Sequence, residues 1–221
     1  MILQENFESL SATQALPKGW TQFSTDGDAY GWAMNAGMAD LTCGGRGGGR
    51  CIASASYAYD DGALHPDNYL VTPMLTDAAK VVYYVCAQDV TAIQEHYAVM
   101  ASTTNDNPEN FSIVFEETGT ELPFIKGSES QSEWIERVVM LPEGTQHIAF
   151  CHFNCTDQNY VLLDDIKVYR GIATRVNDLH TDSASSIEGY YDLMGRKFDA
   201  MQPGINIVKL KNGQVHKLFQ K

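Results

Sequence analysis

The sequence predicts an all-β protein, a jelly-roll β-sandwich followed by a small C-terminal β-module. Three observations carry this. Strand-like runs rich in β-branched and aromatic residues recur along the chain: "GWTQFS", "NYLVTPML", "KVVYYVCAQ", "HYAVMAS", "FSIVFEE", "WIERVVML", "QHIAFCHF" and "YVLLDDIKVYR". Clusters of Gly, Pro, Asn and Asp separate them at short spacing, the pattern of antiparallel sandwiches. No segment shows a convincing amphipathic helical period.

The order of the chain then divides it. Residues 1–170 carry 8 basic and 23 acidic side chains, and residues 171–221 carry 7 basic and 5 acidic. A change of sign at one position supports a domain boundary. The stretch 171–188, "GIATRVNDLHTDSASSIE", is small and polar and reads as a linker. Residues 189–221 give short strands with turns at "MGR", "QPG" and "KNG", and Asn-Gly between alternating runs is a hairpin signal. Within the sandwich, "LPEGTQHIAF" reads as strand–turn–strand closed by Pro142 and Gly144.

Bulk composition excludes several classes. The formal net charge is −13, opposite to what a phosphate-backbone binder needs, so nucleic acid is not an expected partner. No run is apolar for the length of a membrane-spanning helix. "MILQENFESL" lacks a basic leader region, so an exported form is expected to have had its signal peptide removed. The five cysteines, Cys43, Cys51, Cys86, Cys151 and Cys155, show no CxxC spacing. One disulfide plus buried thiols is expected, and metal–thiolate chemistry is not. The run "CGGRGGG" lacks the Lys-hydroxyl ending of a phosphate loop and reads as a mobile surface loop, clamped if Cys43 pairs with Cys51.

Carboxylates are the residues that ask for chemistry. "YVLLDDIKVYR" sets Asp164 and Asp165 side by side inside a strand, where Asp is disfavoured and adjacent like charges repel. "STDGDAYGW" sets Asp26 and Asp28 on either side of Gly27, and "ENFES" places Glu8 near the N-terminus. If the first and last strands of the sandwich pair, these groups converge. Oxygens in such a cluster repel unless a cation joins them, and Ca2+ takes six to eight hard oxygen ligands. The expected set is Glu8, Asp26, Asp28 and Asp165. Asp165 is chosen over Asp164 because it shares strand parity with Val161 and Leu163, which leaves Asp164 on the solvent side. A weaker second site would use Asp89 and Glu95 of "AQDVTAIQEHY".

Tyr30 and Trp32 of "DAYGW" and Tyr57 and Tyr59 of "SYAYDD" are the candidates for an exposed recognition face, since Tyr and Trp combine a flat apolar ring with a polar tip. No Ser or Cys sits in a nucleophile motif, and no carboxylate pair can be singled out as an acid–base couple, so no enzyme activity is expected.

Several of these stretches resemble a known family. "HPDNYLVTPML", "YYVCAQD", "EHYAVMAST", "WIERVVMLPEGTQHIAFCHFNCTD" and "LLDDIKV" are similar, in order and spacing, to the cleaved-adhesin modules of bacterial gingipains and haemagglutinins, from about Asn6 to Tyr169. The tail "YYDLMGRKF…QPGINIVKLKNGQVHKLF" resembles the C-terminal sorting or anchoring modules of Bacteroidetes surface proteins. The first resemblance implies a galactose-binding-like jelly roll with structural calcium. It also implies a non-catalytic secreted or cell-surface adhesin that binds host proteins, haem or haemoglobin, or cell-surface ligands. Two other readings stand beside it: a carbohydrate-binding module, because one sandwich serves many functions, and a structural spacer without a ligand of its own.

Overall fold

The computed structural model describes residues 1–10, 16–34, 45–47, 49–89, 91–118, 133–171, 187–211 and 215–220, with the side chains of 216–220 left aside. The chain forms two compact units, Met1–Gly171 and Ile172–Lys221. All eight runs read as strands are strands: β2 (Thr21–Ser24), β7 (Asp67–Val71), β8 (Ala78–Ala87), β9 (His96–Ser102), β10 (Ser112–Thr118), β11 (Ile135–Thr145), β12 (His147–Phe153) and β13 (Tyr160–Arg170). To them the fold adds β1 (Leu3–Glu5), β3 (Ala33–Met34), β4 (Ile52–Ala55) and a two-stranded hairpin of β5 (Tyr57–Ala58) and β6 (Gly62–Ala63).

The first unit is a sandwich. One sheet runs β11-β8-β13-β4-β3, with β1 also on β13; the other runs β10-β9-β12-β7-β2. Between them lies one apolar core to which both sheets contribute alternate residues. Val81, Tyr83 and Val85 of β8 and Val161, Leu163, Ile166 and Val168 of β13 face Leu70, Tyr97, Val99, Ile148 and Phe150. Ile148 and Phe150 point to the same side, as period-2 alternation requires. The expected turn at Pro142–Gly144 is instead an irregularity inside β11. The β8 register jumps between Met140 and Thr145, Gly144 takes φ +80°, and the chain passes to the other sheet at Gln146.

Tyr83 and Tyr97 meet edge-on in this core with their hydroxyls 2.9 Å apart. The Tyr97 hydroxyl donates to Glu117 of β10, and Arg137 of β11 grips both Glu117 oxygens through Nε at 3.0 and 2.9 Å. The network joins β8 and β11 of one sheet to β9 and β10 of the other.

Trp32 is another core anchor, not a surface ring. It is 0% exposed, its Nε1 donates to the Asn68 carbonyl at 2.9 Å, and its ring meets His152 edge-on at 6.4 Å. The recognition role expected for Trp32 is therefore withdrawn. The indole finds its hydrogen-bond partner indoors, so burial leaves no polar atom wanting.

The second unit pairs β14 (Ile187–Tyr191), β15 (Lys197–Phe198), β16 (Gly204–Leu210) and β17 (Val215–Gln220) in the order β15-β14-β16-β17. Its first strand begins two residues before the expected boundary at 189. β16 and β17 pair antiparallel as the Asn-Gly signal requires, although residues 212–214 lie outside the described set, as do linker residues 172–186. Its small core is Val208 and Leu210 with Ile187, Tyr190 and Met201 around them.

Candidate cation centre and binding rim

The paired aspartates sit where β13 changes partner. On one edge, Tyr160–Leu163 pair with β4 and Ile166–Val168 pair with β1. Between those two segments Asp165 takes φ +49° and the register with β8 shifts, which is a β-bulge. Asp is among the few side chains that tolerate left-handed backbone, so the bulge explains an Asp in mid-strand.

The bulge also overturns the parity argument. One extra residue puts Ile166, rather than Asp165, in phase with Leu163. Asp164 is the inner carboxylate, 2% exposed, on the same side of the strand as Leu162, while Asp165 is partly exposed. Asp164 is not on the solvent side because a loop covers it.

That loop is the glycine-rich segment. Its described residues are docked, contrary to the expectation of a mobile surface loop. The Arg46 amide donates to Asp164 Oδ2 at 2.7 Å and the Arg50 amide to Glu8 Oε1 at 2.8 Å. Arg46 Nη1 lies 2.8 Å from Asp165 Oδ2, and its guanidinium covers the Tyr84 ring at 3.8 Å. The glycines allow close approach: a Cβ at Gly49 would lie 1.6 Å from Glu8 Oε1, and one at Gly45 would lie 2.2 Å from the Arg50 carbonyl oxygen. Residues 35–44 and 48, and with them Cys43 and its pairing with Cys51, lie outside the described residues.

First and last strands of the sandwich do pair, with Glu5 opposite Ile166, so the chain leaving β1 carries Glu8 toward the bulge. Burial raises the Asp164 carboxyl to about 6; the Arg46 and Asp165 amides oppose that shift, and the charges of Asp165 and Glu8 add to it. Three carboxylates share this site with one guanidinium. Their oxygens do not all lie within 4.8 Å of one another, and each acid already accepts a hydrogen bond here, from the Arg46, Arg50 or Asp165 amide or from the Arg46 guanidinium, so a shared cation would have to draw them together.

Asp26 and Asp28 are spent elsewhere. Asp26 Oδ1 accepts from Ser24 Oγ at 2.7 Å and the Asp28 amide at 2.9 Å, and Oδ2 accepts from the Asp67 amide at 2.8 Å. Burial works against its ionisation, but these bonds leave its carboxyl below the usual range. Asp28 accepts from the Tyr30 amide at 2.7 Å. The two acids cap their own turn, as short polar side chains do. The expected set of Glu8, Asp26, Asp28 and Asp165 therefore does not come together as one. Among the described residues, the sole group of three or more His, Cys, Asp or Glu with ligand atoms within 4.8 Å of one another is Glu95, His152 and Cys155.

Asp89 and Glu95 share a neighbour rather than a site. Asp89 caps Thr91 through its amide and hydroxyl, both at 2.7 Å. Asn159 touches both acids, its Nδ2 at 3.5 Å from Asp89 and its amide at 2.8 Å from Glu95 Oε1. Glu95 itself is buried against His152 and Cys155. Sequence reasoning drew Glu95 out for calcium and set the two thiols of "FCHFNC" aside. That segment meets Glu95 only because β12 pairs with β9, which no local pattern states.

Tyr30, Tyr57 and Tyr59 do share a rim. Tyr57 and Tyr59 lie on the β5–β6 hairpin, 37% and 93% exposed, with Asp60 and Asp61 beside them. The Tyr30 hydroxyl donates to Asp61, which fastens the turn carrying Asp26 and Asp28 to the hairpin and raises the phenol to about 12. Below Tyr30 a shallow cleft of about 230 Å3 is lined by Gln22, Phe23, Ser24, Asp28, Ala29 and Gly31. Phe23 stacks on Tyr69 at 4.4 Å on the outer face of the same sheet.

Comparison with known proteins agrees with this architecture. The Cleaved Adhesin Domain family matches residues 2–168. Gingipain R1 and Hemagglutinin A of Porphyromonas gingivalis are each 42% identical to the chain over 179 residues, 76% of its length; that is 10% and 8% of theirs, so the chain spans about a tenth or less of these relatives. Among solved structures, the K1 cleaved adhesin domain of Lys-gingipain from P. gingivalis W83 superposes with a TM-score of 0.67 at 36% identity, covering 77% of this chain and 98% of that domain. The K2 domain of Lys-gingipain gives 0.65 at 40% identity, covering 76% and 99%. With a family match over three quarters of its length and a shared sandwich, the chain belongs to the cleaved adhesin domain family.

Proposed function

We propose that the chain is a non-catalytic, secreted or cell-surface adhesin module whose acidic tyrosine rim binds host proteins, haem proteins such as haemoglobin, or other cell-surface ligands. The observation that carries the reading is Tyr59, 93% exposed at the tip of a hairpin. A large aromatic held out on a short paired element gives contact area with little ordering cost on binding. Asp60 and Asp61 follow it in the same turn, and Tyr30 fastens the turn of Asp26 and Asp28 to Asp61, so the favoured partner surface is basic.

The test is a Tyr57→Ala/Tyr59→Ala double variant assayed against haemoglobin and red-cell ghosts. Binding is expected to fall at least about 10-fold, the loss of one hot-spot aromatic, with an unchanged melting temperature. Saturable binding that survives the double substitution overturns the assignment of the rim, and no saturable binding to any host surface favours a structural spacer.

A carbohydrate-binding reading is favoured by one feature, the Phe23–Tyr69 stack beside the cleft below Tyr30. A defined hit on a glycan array that is lost in Tyr69→Ala would support it.

The same module is proposed to carry a structural Ca2+ held by Glu8, Asp164 and Asp165, drawn together around the ion. Its role is to offset the buried negative charge and to fix the first and last strands of the first unit to the loop that leads into β4. Asp26 and Asp28 are left out of this set because their turn is tied to β7 and to the β5–β6 hairpin rather than to β13.

A further inference from the structure

We propose that Glu95, His152 and Cys155 form a binding site for a borderline divalent cation, Zn2+ by its donor set, with one coordination position open to the cleft beside Cys155. Three different ligand atoms converge there. His152 Nε2 is 2.9 Å from Glu95 Oε2 and 3.1 Å from Cys155 Sγ, and Cys155 Sγ is 3.4 Å from Glu95 Oε2. Tetrahedral ligation of Zn2+ separates such atoms by about 3.3–3.6 Å, given its usual bond lengths. The triangle need only open by about half an ångström.

The surroundings aim these atoms. Glu95 Oε1 is already occupied by Ser56 Oγ at 2.9 Å and the Asn159 amide at 2.8 Å, which turns Oε2 toward the other two ligands. The other ring nitrogen of His152, Nδ1, lies 2.8 Å from Ser54 Oγ, which in turn accepts from Asn68 Nδ2 at 3.2 Å. A hydroxyl on the far nitrogen fixes the ring orientation and leaves Nε2 as the ligand, the outer-shell arrangement metal-binding histidines use.

Charge and access agree. Glu95 and His152 are both fully buried, and no Lys or Arg contacts either among the described residues. A dication joined to one carboxylate, one thiolate and one neutral imidazole gives a site of zero net charge, the form a buried position tolerates. The imidazole and thiolate favour zinc over calcium, which takes oxygens. Cys155 is the least buried of the three, and a cleft of about 350 Å3 lined by His65, Pro66, Asn154, Cys155 and Thr156 reaches it from solvent. On binding, the Cys155 sulfur exchanges its proton for the metal and the proton leaves to solvent. This site uses none of Glu8, Asp164 and Asp165, the residues proposed to hold calcium at the β13 bulge.

The test uses the full chain, reduced, chelator-washed and returned to excess Ca2+ so that hard-oxygen sites stay filled. Calorimetric titration with Zn2+ is expected to show one equivalent bound, and Co2+ in its place to give a thiolate-to-metal charge-transfer band. Cys155→Ser should abolish the band and weaken Zn2+ binding at least about 10-fold, while Cys151→Ser keeps both. A second readout needs no substitution: Zn2+ should slow alkylation of Cys155, followed by mass spectrometry, at least about 10-fold, because the metal-bound sulfur is withdrawn from reaction. Absence of stoichiometric Zn2+ uptake, or alkylation of Cys155 at the same rate with and without Zn2+, overturns the proposal.

Discussion

Replacing Trp32 by Ala is expected to destabilise the first unit by about 3–5 kcal/mol, the cost of emptying a large aromatic site in a packed core. For a domain of this size that lowers the melting temperature by on the order of 10 °C. The indole is wholly buried and its Nε1 holds the Asn68 carbonyl, so Trp32→Phe should lose little more than one hydrogen bond, about 1 kcal/mol. Ligand binding per folded molecule should be unchanged in both, because the ring does not reach the rim. Differential scanning calorimetry with parallel binding assays checks this. A loss of binding without a loss of stability would return Trp32 to the recognition face.

Glu117→Ala should cost about 3 kcal/mol by a different route. The carboxylate is 5% exposed, bidentate to Arg137 and bonded to the Tyr97 hydroxyl. Removing it leaves a partly buried guanidinium without its partner and the buried Tyr97 hydroxyl without its acceptor, and breaking a buried pair costs more than the pair contributes when intact. Because the network crosses from one sheet to the other, the loss should appear as a lower urea midpoint for the whole first unit. Glu117→Gln, which keeps the shape and one acceptor, should recover part of it. A midpoint unchanged in Glu117→Ala would show that the network contributes nothing to the joining of the sheets.

Much of the sandwich was legible because alternation and turn chemistry act locally. Ile148 and Phe150 face the core because they are two apart on a strand, and no tertiary knowledge is needed to say so. The Asp164–Asp165 pair marks where that reasoning stops. Period-2 parity holds only while the ladder is regular, and the bulge at Asp165 is set by the switch of partner from β4 to β1. Nothing in "YVLLDDIKVYR" states where that switch falls, although two adjacent Asp in a strand hinted at an irregularity.

The glycine loop failed for a related reason. Glycines read as freedom when their surroundings are unknown; here they read as close approach, because Glu8 occupies the space a Gly49 side chain would need. Asp26 and Asp28 were legible as a turn, and their oxygens go to that turn rather than to a shared ion. The Glu95–His152–Cys155 cluster was invisible as a unit. Its members are 57 and 60 positions apart from Glu95, joined only by the course of β12 beside β9.

The proposed calcium ion at the bulge of β13 would draw together Glu8 from the start of the first unit and Asp164 and Asp165 from its last strand. Its most direct test is the calcium dependence of the first unit's melting temperature in the unaltered chain, in Asp164→Asn and in Asp26→Asn. At calcium about 100-fold above its dissociation constant, the unaltered chain should gain about 3 kcal/mol over chelator-treated protein. Asp26→Asn should keep that gain and Asp164→Asn should lose it. No calcium-induced rise in the unaltered chain, or a rise that survives Asp164→Asn and vanishes in Asp26→Asn, would contradict the claim.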